Sequence, residues 1–310
     1  MTQTRLERSA QQRRDRFEKY FARTPDPAEL RTAMIIIGVA SVLLLIALAC
    51  FVAKSGFLGV VFLLGAGYAG VKGFSRKGAY DKAYAKAEPK PSDAEVDACL
   101  AADLVMIVAR AMERLGLTYD DLETVAQQWD PVANLSRGQN RIQAGRGRPM
   151  VVFGPMFPAR TAVGQDGVWR FSCYQVMVIC PTSYHLAIYR TGIDFLTGGL
   201  RQEETQEYHY SDVVAVSTTS APGTELTAEP TAHSASSEVR FAKTTLREFQ
   251  IVVASGDRSK VVVGIADETD PEREATLQES RIDEVIAAVR RMLREKKGGT
   301  APPTAAGGSW

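Results

Sequence analysis

The stretch AMIIIGVASVLLLIALACFVA (residues 33–53) decides the fold, because it runs for 21 residues without a charge. At about 1.5 Å per residue, a helix of this length spans a hydrocarbon core of about 30 Å. It starts too far from Met1, and is too long, for a cleaved signal peptide. After Lys54 comes SGFLGVVFLLGAGYAGV (55–71), shorter but also uncharged. Only Lys54, Ser55 and Gly56 remain to turn the chain, which predicts a tight transmembrane helical hairpin over residues 33–72. The alternative is a buried helix pair in a soluble protein, and uncharged runs of this length weigh against it.

Charge sets the orientation. Residues 1–92 hold 15 Lys and Arg against 7 Asp and Glu, whereas the other 218 residues hold 22 against 29. The excess positive charge flanks both sides of the hairpin and the turn carries Lys54 alone. The positive-inside rule then places both termini in the cytoplasm. The Ala, Arg and Gly content suggests a bacterial source, hence a bacterial inner membrane. Small residues in the second span, Gly65 with Ala69 and Ala66 with Gly70, allow close helix approach in lipid. Two uses stay open: packing of the hairpin on itself, and a homo-oligomer.

The basic N-terminal arm (1–32) has Leu6, Ala10, Phe17, Tyr20 and Phe21 near one face, interrupted by Arg13. Such a helix suits the lipid headgroup region, or else a solvated surface. Beyond the hairpin, a basic juxtamembrane linker (73–91) continues the second span. A cytoplasmic helical hairpin (92–130) follows. Ser92 with Glu95 makes a capping box, and Val96, Cys99, Leu100, Leu104, Ile107, Val108, Ala111 and Leu115 keep helical spacing. Gly116 suits the C-terminal cap. Thr118 and Asp121 are expected to open a second helix, with Leu122, Val125 and Trp129 on one face.

From Met150 the period changes from 3.6 to 2. WRFSCYQVMVIC (169–180), YHLAIYRTGIDFL (184–196), EYHYSDVVAVST, SEVRFAK, REFQIVVAS and SKVVVGIAD read as six or seven antiparallel strands. Residues 217–238 read as a long loop, disordered by composition or a partner segment. A closing helix is expected from Asp270 as N-cap and Pro271 as first residue. Its apolar face would hold Leu277, Ile282, Val285, Ile286, Val289 and Leu293. The tail (297–310) is disordered by composition.

The fold class is therefore α+β, with a β-domain over residues 150–296. Its element order resembles the pleckstrin-homology-like (PH-like) fold, an antiparallel barrel or sheet closed by a C-terminal helix, over residues 166–296. LAIYRTGIDF and YHYSDVVAVS are similar to strands of bacterial membrane-tethered members. The family often binds phosphoinositides through basic residues on its first two strands and their loop. Here that loop is CPTSY, without Lys or Arg, and Arg170 and Arg190 stand isolated nearby. The resemblance then implies a protein or peptide partner in the strand-and-helix groove.

Function is less legible. LSRGQNRIQAGRGRP carries Arg137, Arg141, Arg146 and Arg148 and no acid, and GRGRP resembles the core of an AT-hook. Four arginines can bind a polyanion, either nucleic acid or an anionic membrane surface. The acidic surroundings and the membrane anchor favour lipid, and a plain basic loop stays open. Cys50, Cys99, Cys173 and Cys180 show no metal spacing. Cys180 is near His185 in sequence, yet a cysteine ending an apolar strand reads as core. Glu203, Glu204, Glu207 and His209 fit no metal-ligand pattern and read as a polar hairpin tip. With no P-loop, dinucleotide fingerprint or nucleophile elbow, neither catalysis nor a cofactor is expected. The leading reading is a non-enzymatic membrane-anchored scaffold or recruitment protein. Alternatives are a membrane-tethered nucleic-acid binder using residues 137–148 and an oligomeric pore subunit built on the glycine-rich span.

Overall fold

The computed structural model describes residues 2–53, 56–123, 147–230, 239–270, 273–278 and 282–297. Five helices and eleven strands are described. Helix α1 is Thr2–Phe17, α2 is Pro27–Val52, α3 is Gly56–Ala87 and α4 is Asp93–Leu115.

Helices α2 and α3 are both long and apolar enough to cross a membrane. Asp26 caps α2, accepting from Ala28 N at 2.8 Å, with Pro27 at the first position. The two helices pack antiparallel along a seam of small residues. Ala33, Ala40 and Ala47 are buried on α2; Gly59, Ala66 and Gly73 are buried on α3. Each set repeats every seven residues, the spacing that keeps one face on its partner. Leu45, Leu48, Phe57, Leu64 and Val71 point outward and are exposed. The juxtamembrane stretch does continue the second span, and α3 runs unbroken to Ala87.

Helix α4 forms as its spacing predicts. Ser92 Oγ accepts from Glu95 N at 3.2 Å, and Gly116 adopts a left-handed φ of 65° at the C-terminal end. The second helix of the expected pair does not open at Thr118–Asp121. Leu122 instead forms an antiparallel bridge with Thr182, and Glu123 N donates to Pro181 O at 2.9 Å. Val125 and Trp129 lie outside the described residues.

The β-domain contains more strands than the sequence announces. The first sheet has the order β1 (Met150–Pro155), β4 (Cys173–Pro181), β5 (His185–Asp194), β6 (Gly199–His209), all antiparallel. The second has the order β11 (Arg258–Asp267), β10 (Thr244–Val253), β7 (Val213–Pro222). A third, smaller sheet joins β3 (Trp169–Phe171), β2 (Thr161–Val163), β8 (Leu226–Pro230) and β9 (Val239–Phe241), with β2 and β8 parallel. Much of the expected loop 217–238 is thus strand: 217–222 ends β7 and 226–230 forms β8. Residues 231–238 lie outside the described residues. Strands β1 and β11 cross so closely that a Cβ on Gly154 would stand 1.7 Å from Val262 O, a site only glycine fits.

β4 is buried on both faces, which explains why QVMVIC reads as a nearly continuous apolar run. Tyr174, Val176, Val178 and Cys180 face a core shared with α1 and α4. Met177 and Ile179 face a second core, shared with β10, β11 and the closing helix α5 (Ile282–Lys296). That helix buries Ile282, Val285, Ile286, Val289 and Leu293 as expected, but it starts later than Asp270–Pro271. Residues 273–278 are extended instead, because strand edges capture their backbone. Ala275 N donates to Ile265 O, and Trp169 N donates to Thr276 O, each at 2.8 Å. Leu277 accordingly packs on the first core rather than on the helix face. Pro271 and residues 298–310 lie outside the described residues.

The N-terminal arm is also corrected. Phe17, Tyr20 and Phe21 are buried in the β-domain core, not set against headgroups or solvent. The ring of Phe17 meets Phe195 edge to face at 5.1 Å. Arg13, read as an interruption of the stripe, is its anchor. It donates to both oxygens of buried Asp103 on α4 and to Phe195 O.

Candidate functional site

The clearest open surface of the β-domain lies where β7 meets α5. β7 is the free edge of the second sheet, since β10 pairs with it on one side only. VVAVSTTSAP carries no charge. An uncharged edge strand offers an extended chain whichever backbone groups no neighbour binds; among the described residues these lie in 217–222, since α5 binds the carbonyls of Val213 and Val216. Another sheet edge, β6, is studded with charge: Arg201 pairs with Asp194, Glu203 with Arg110 and Arg114, and Glu204 with Arg190. Charges of this kind blunt an edge against strand addition.

Beside β7 lies an open cavity of about 680 Å³, lined by Val213, Val214, Val216, Leu293 and the cations Arg290, Arg294 and Lys297, with Glu295 among them. Val214, one of the lining residues, is 62% exposed. The amphipathic period of α5 creates this rim: one face is buried and the flank beside β7 is cationic. Arg290 donates to Val216 O through Nε at 3.1 Å and Nη2 at 2.9 Å. Lys297 donates to Val213 O. The helix therefore holds β7 by two of its carbonyls and leaves positive charge along the groove.

A second polar constellation joins the hairpin flanks to the β-domain. Arg170 is fully buried and forks between Asp97 (2.8 and 2.9 Å) and Asp166 (2.7 and 2.9 Å), with Asp93 at 3.9 Å. Tyr20 donates to Asp93 at 2.8 Å, and Tyr174 donates to Gln278 Oε1 at 2.7 Å. Gln278 in turn donates to Asp97. Burial opposes the Arg170 charge, but the hydrogen bonds to Asp166 and Asp97 outweigh it and hold the guanidinium above its ordinary pKa. Hydrogen bonding to Arg170 holds the Asp166 carboxyl below the usual carboxylate range. Burial and the Asp93 hydrogen bond push the Tyr20 hydroxyl up. Every member of this network finds a partner inside the molecule, so it reads as a clamp rather than a ligand site.

The other sequence candidates fall as follows. Ala66 is buried against α2, and Gly70 and Gly65 stand near Ala40 and Leu43; Ala69 is half-buried. The small residues thus pack the hairpin on itself. Arg137, Arg141 and Arg146 lie outside the described residues. Arg148 is half-buried, next to Gly147, which packs on the backbone of Leu122 and Glu123. That position lies past the C-terminal end of α4, whereas the hairpin joins α4 at its N-terminal end. Cys180 is buried with Sγ 3.8 Å from Met112 Sδ, and burial pushes its thiol up to about 12. His185 contacts Thr182 Oγ1 at 3.1 Å and Glu207 at 3.7 Å. Glu203, Glu204 and Glu207 lie along β6 and do not form a hairpin tip: Glu203 meets Arg110 and Arg114, Glu204 on the opposite face meets Arg190, and Glu207 stands 3.7 Å from His185. No group of candidate metal ligands occurs among the described residues.

Sequence reading missed the β7 groove, because SAP at its end reads as loop. Its signal was the contrast between charge-rich 201–207 and charge-free 213–222, followed by Arg290, Arg294 and Lys297 on one flank of an amphipathic helix. No protein-family model, curated protein or solved structure matches the chain.

Proposed function

We propose that the chain is a non-enzymatic membrane-anchored recruitment protein, whose β-domain takes an extended acidic segment of a protein partner along β7. Positive charge on both flanks of the hairpin supports a topology with both termini in the cytoplasm. A four-stranded meander, a three-stranded meander and a closing helix support the PH-like reading of the domain, with the third sheet as an insertion. The composition supports a bacterial inner membrane. The observation that carries the function is the uncharged edge of β7, bound by α5 only at Val213 and Val216 among the described residues, beside a cation-rimmed apolar groove. Main-chain pairing supplies affinity in such strand addition, and side-chain pockets supply specificity.

The test is selection of short random peptides on the full-length protein in nanodiscs. Peptides rich in Asp and Glu are expected to be enriched. Binding of an enriched peptide should fall at least about tenfold in Val214→Asp, because the new carboxylate repels it and breaks the apolar floor. It should hold in Glu204→Gln on the β6 edge. Enrichment of basic peptides, or binding indifferent to Val214→Asp, would overturn the reading.

A further inference from the structure

The register of the hairpin sets two cations deeper than the apolar boundary of its other helix. A Cβ on Gly73 would stand 2.7 Å from Ile37 Cγ1, one on Gly70 4.0 Å from Ala40 Cβ, and one on Gly59 3.0 Å from the Phe51 ring. Counted along antiparallel helices from these contacts, Lys72 stands level with Gly38 and Arg76 with Met34. The apolar run of α2 begins at Ala33, level with Lys77. Lys72 is therefore five residues deeper, about 7–8 Å.

Lys72 and Arg76 are four residues apart, so they share one face of α3. Tyr68 lies one turn further in, with Lys72 Nζ 5.7 Å from its ring centroid. Both cations are exposed, and neither forms an ion pair among the described residues. Lys77, by contrast, pairs with Asp81 at 3.7 Å. The flanking Val71 and Leu64 are exposed and apolar. A cation at the edge of hydrocarbon needs a counter-charge or must snorkel to water. A zwitterionic headgroup brings its own cation, which two adjacent positive charges repel. An anionic headgroup does not.

We propose that Lys72 and Arg76, with Tyr68 beneath them, bind the headgroup of an anionic phospholipid while Val71 and Leu64 line its acyl chains. The proposal rests on the hairpin spanning a membrane. It assigns lipid contact to α3 rather than to the 137–148 segment.

The test uses the full chain in nanodiscs of mixed phosphatidylglycerol and phosphatidylcholine, with spin-labelled forms of each lipid. The motionally restricted fraction should favour labelled phosphatidylglycerol. Lys72→Gln with Arg76→Gln should bring the two lipids to parity. Lys82→Gln with Lys86→Gln should preserve the preference, since both residues lie beyond the apolar part of the hairpin. An unchanged preference in the first variant, or an equal loss in the second, overturns the site. Alkaline carbonate extraction checks the premise separately: release of the chain from membranes would defeat the spanning reading and the proposal with it.

Discussion

Helices α3 and α4 each bury one face along their length, α3 with small residues only and α4 mainly with large ones, although α4 also buries Ala101 and Ala111 and exposes Val105 and Met106. α3 buries Gly59, Ala66 and Gly73 and turns Phe57, Leu64 and Val71 outward. α4 buries Val96, Leu100, Leu104 and Ile107 and turns Ala94, Ala98 and Ala102 outward. The inversion follows from the solvent each sequence suits. Lipid is as apolar as leucine, so large side chains gain nothing by leaving it, and close backbone approach decides the pairing. Water drives large apolar groups inward, at about 25 cal/mol per Å² removed from it. The α4 seam adds what the hairpin seam lacks, buried charges with full sets of partners: Arg170 with Asp97 and Asp166, and Arg13 with Asp103.

The most damaging way to break this contrast is to treat the α4 seam as purely apolar. Arg170→Met keeps volume but leaves Asp93, Asp97 and Asp166 facing one another without a cation. Removing one partner from a fully buried charge set costs about 3–5 kcal/mol; here the three carboxylates are partly exposed, Asp166 by 44%, so the loss should fall at the lower end, about 3 kcal/mol. The urea midpoint of the full-length protein in detergent, read by tryptophan fluorescence in a Trp129→Phe, Trp310→Phe background that leaves Trp169 in the adjoining core, should fall accordingly. A midpoint within error of wild type would mean that the clamp adds nothing to the fold.

The hairpin seam predicts a smaller loss with a sharper control. Gly73→Leu forces a side chain toward Ile37, including its backbone nitrogen at 3.2 Å from the Cβ position. Overpacking of this kind costs about 1–3 kcal/mol. Gly67 has nothing within 4 Å, so Gly67→Leu should be silent. A disulfide between cysteines placed at Ala40 and Gly70 reports the pairing. Its yield should drop in Gly73→Leu and persist in Gly67→Leu. Equal yields in both variants would defeat the register on which the lipid site rests.

These two seams were unequally legible. The hairpin, the Ser92 cap, the α4 face and the run in β4 all follow from local spacing, and the structure places each where spacing does. The heptad pairing of Ala33, Ala40 and Ala47 with Gly59, Ala66 and Gly73 needs the register of two helices, which neither helix encodes alone. The Arg170 clamp draws on Tyr20, Asp93, Asp97, Asp166 and Gln278, five residues of which only Asp166 is near Arg170 in sequence. Singly, each is an ordinary polar residue, and Arg170 reads as isolated. The late start of α5 has the same origin. Asp270–Pro271 is a sound local helix signal, but the edges of β3 and β11 bind residues 273–278 first. The β7 groove stayed hidden because an edge strand is defined by the neighbour it lacks.

The smallest expected effect separates the two carboxylates that share Arg170. Asp166 is 44% exposed and Asp97 is 27% exposed, so solvent screens the outer one more. Hydrogen bonding to Arg170 lowers the Asp166 pKa in the folded state. A lowered folded pKa favours folding when the group is ionised. The contribution is therefore complete above the unfolded value of about 3.9 and is lost as pH falls through the lower folded value. Asp166→Asn should remove that increment, which screening limits to less than about 1 kcal/mol. Urea midpoints of the two proteins should accordingly differ slightly at neutral pH and converge as pH drops below about 4. Asp97 still answers Arg170 in the variant, so the fold should hold. A difference that widens toward acid pH would show that the folded state prefers Asp166 protonated, and would reverse the sign of its pairing with Arg170.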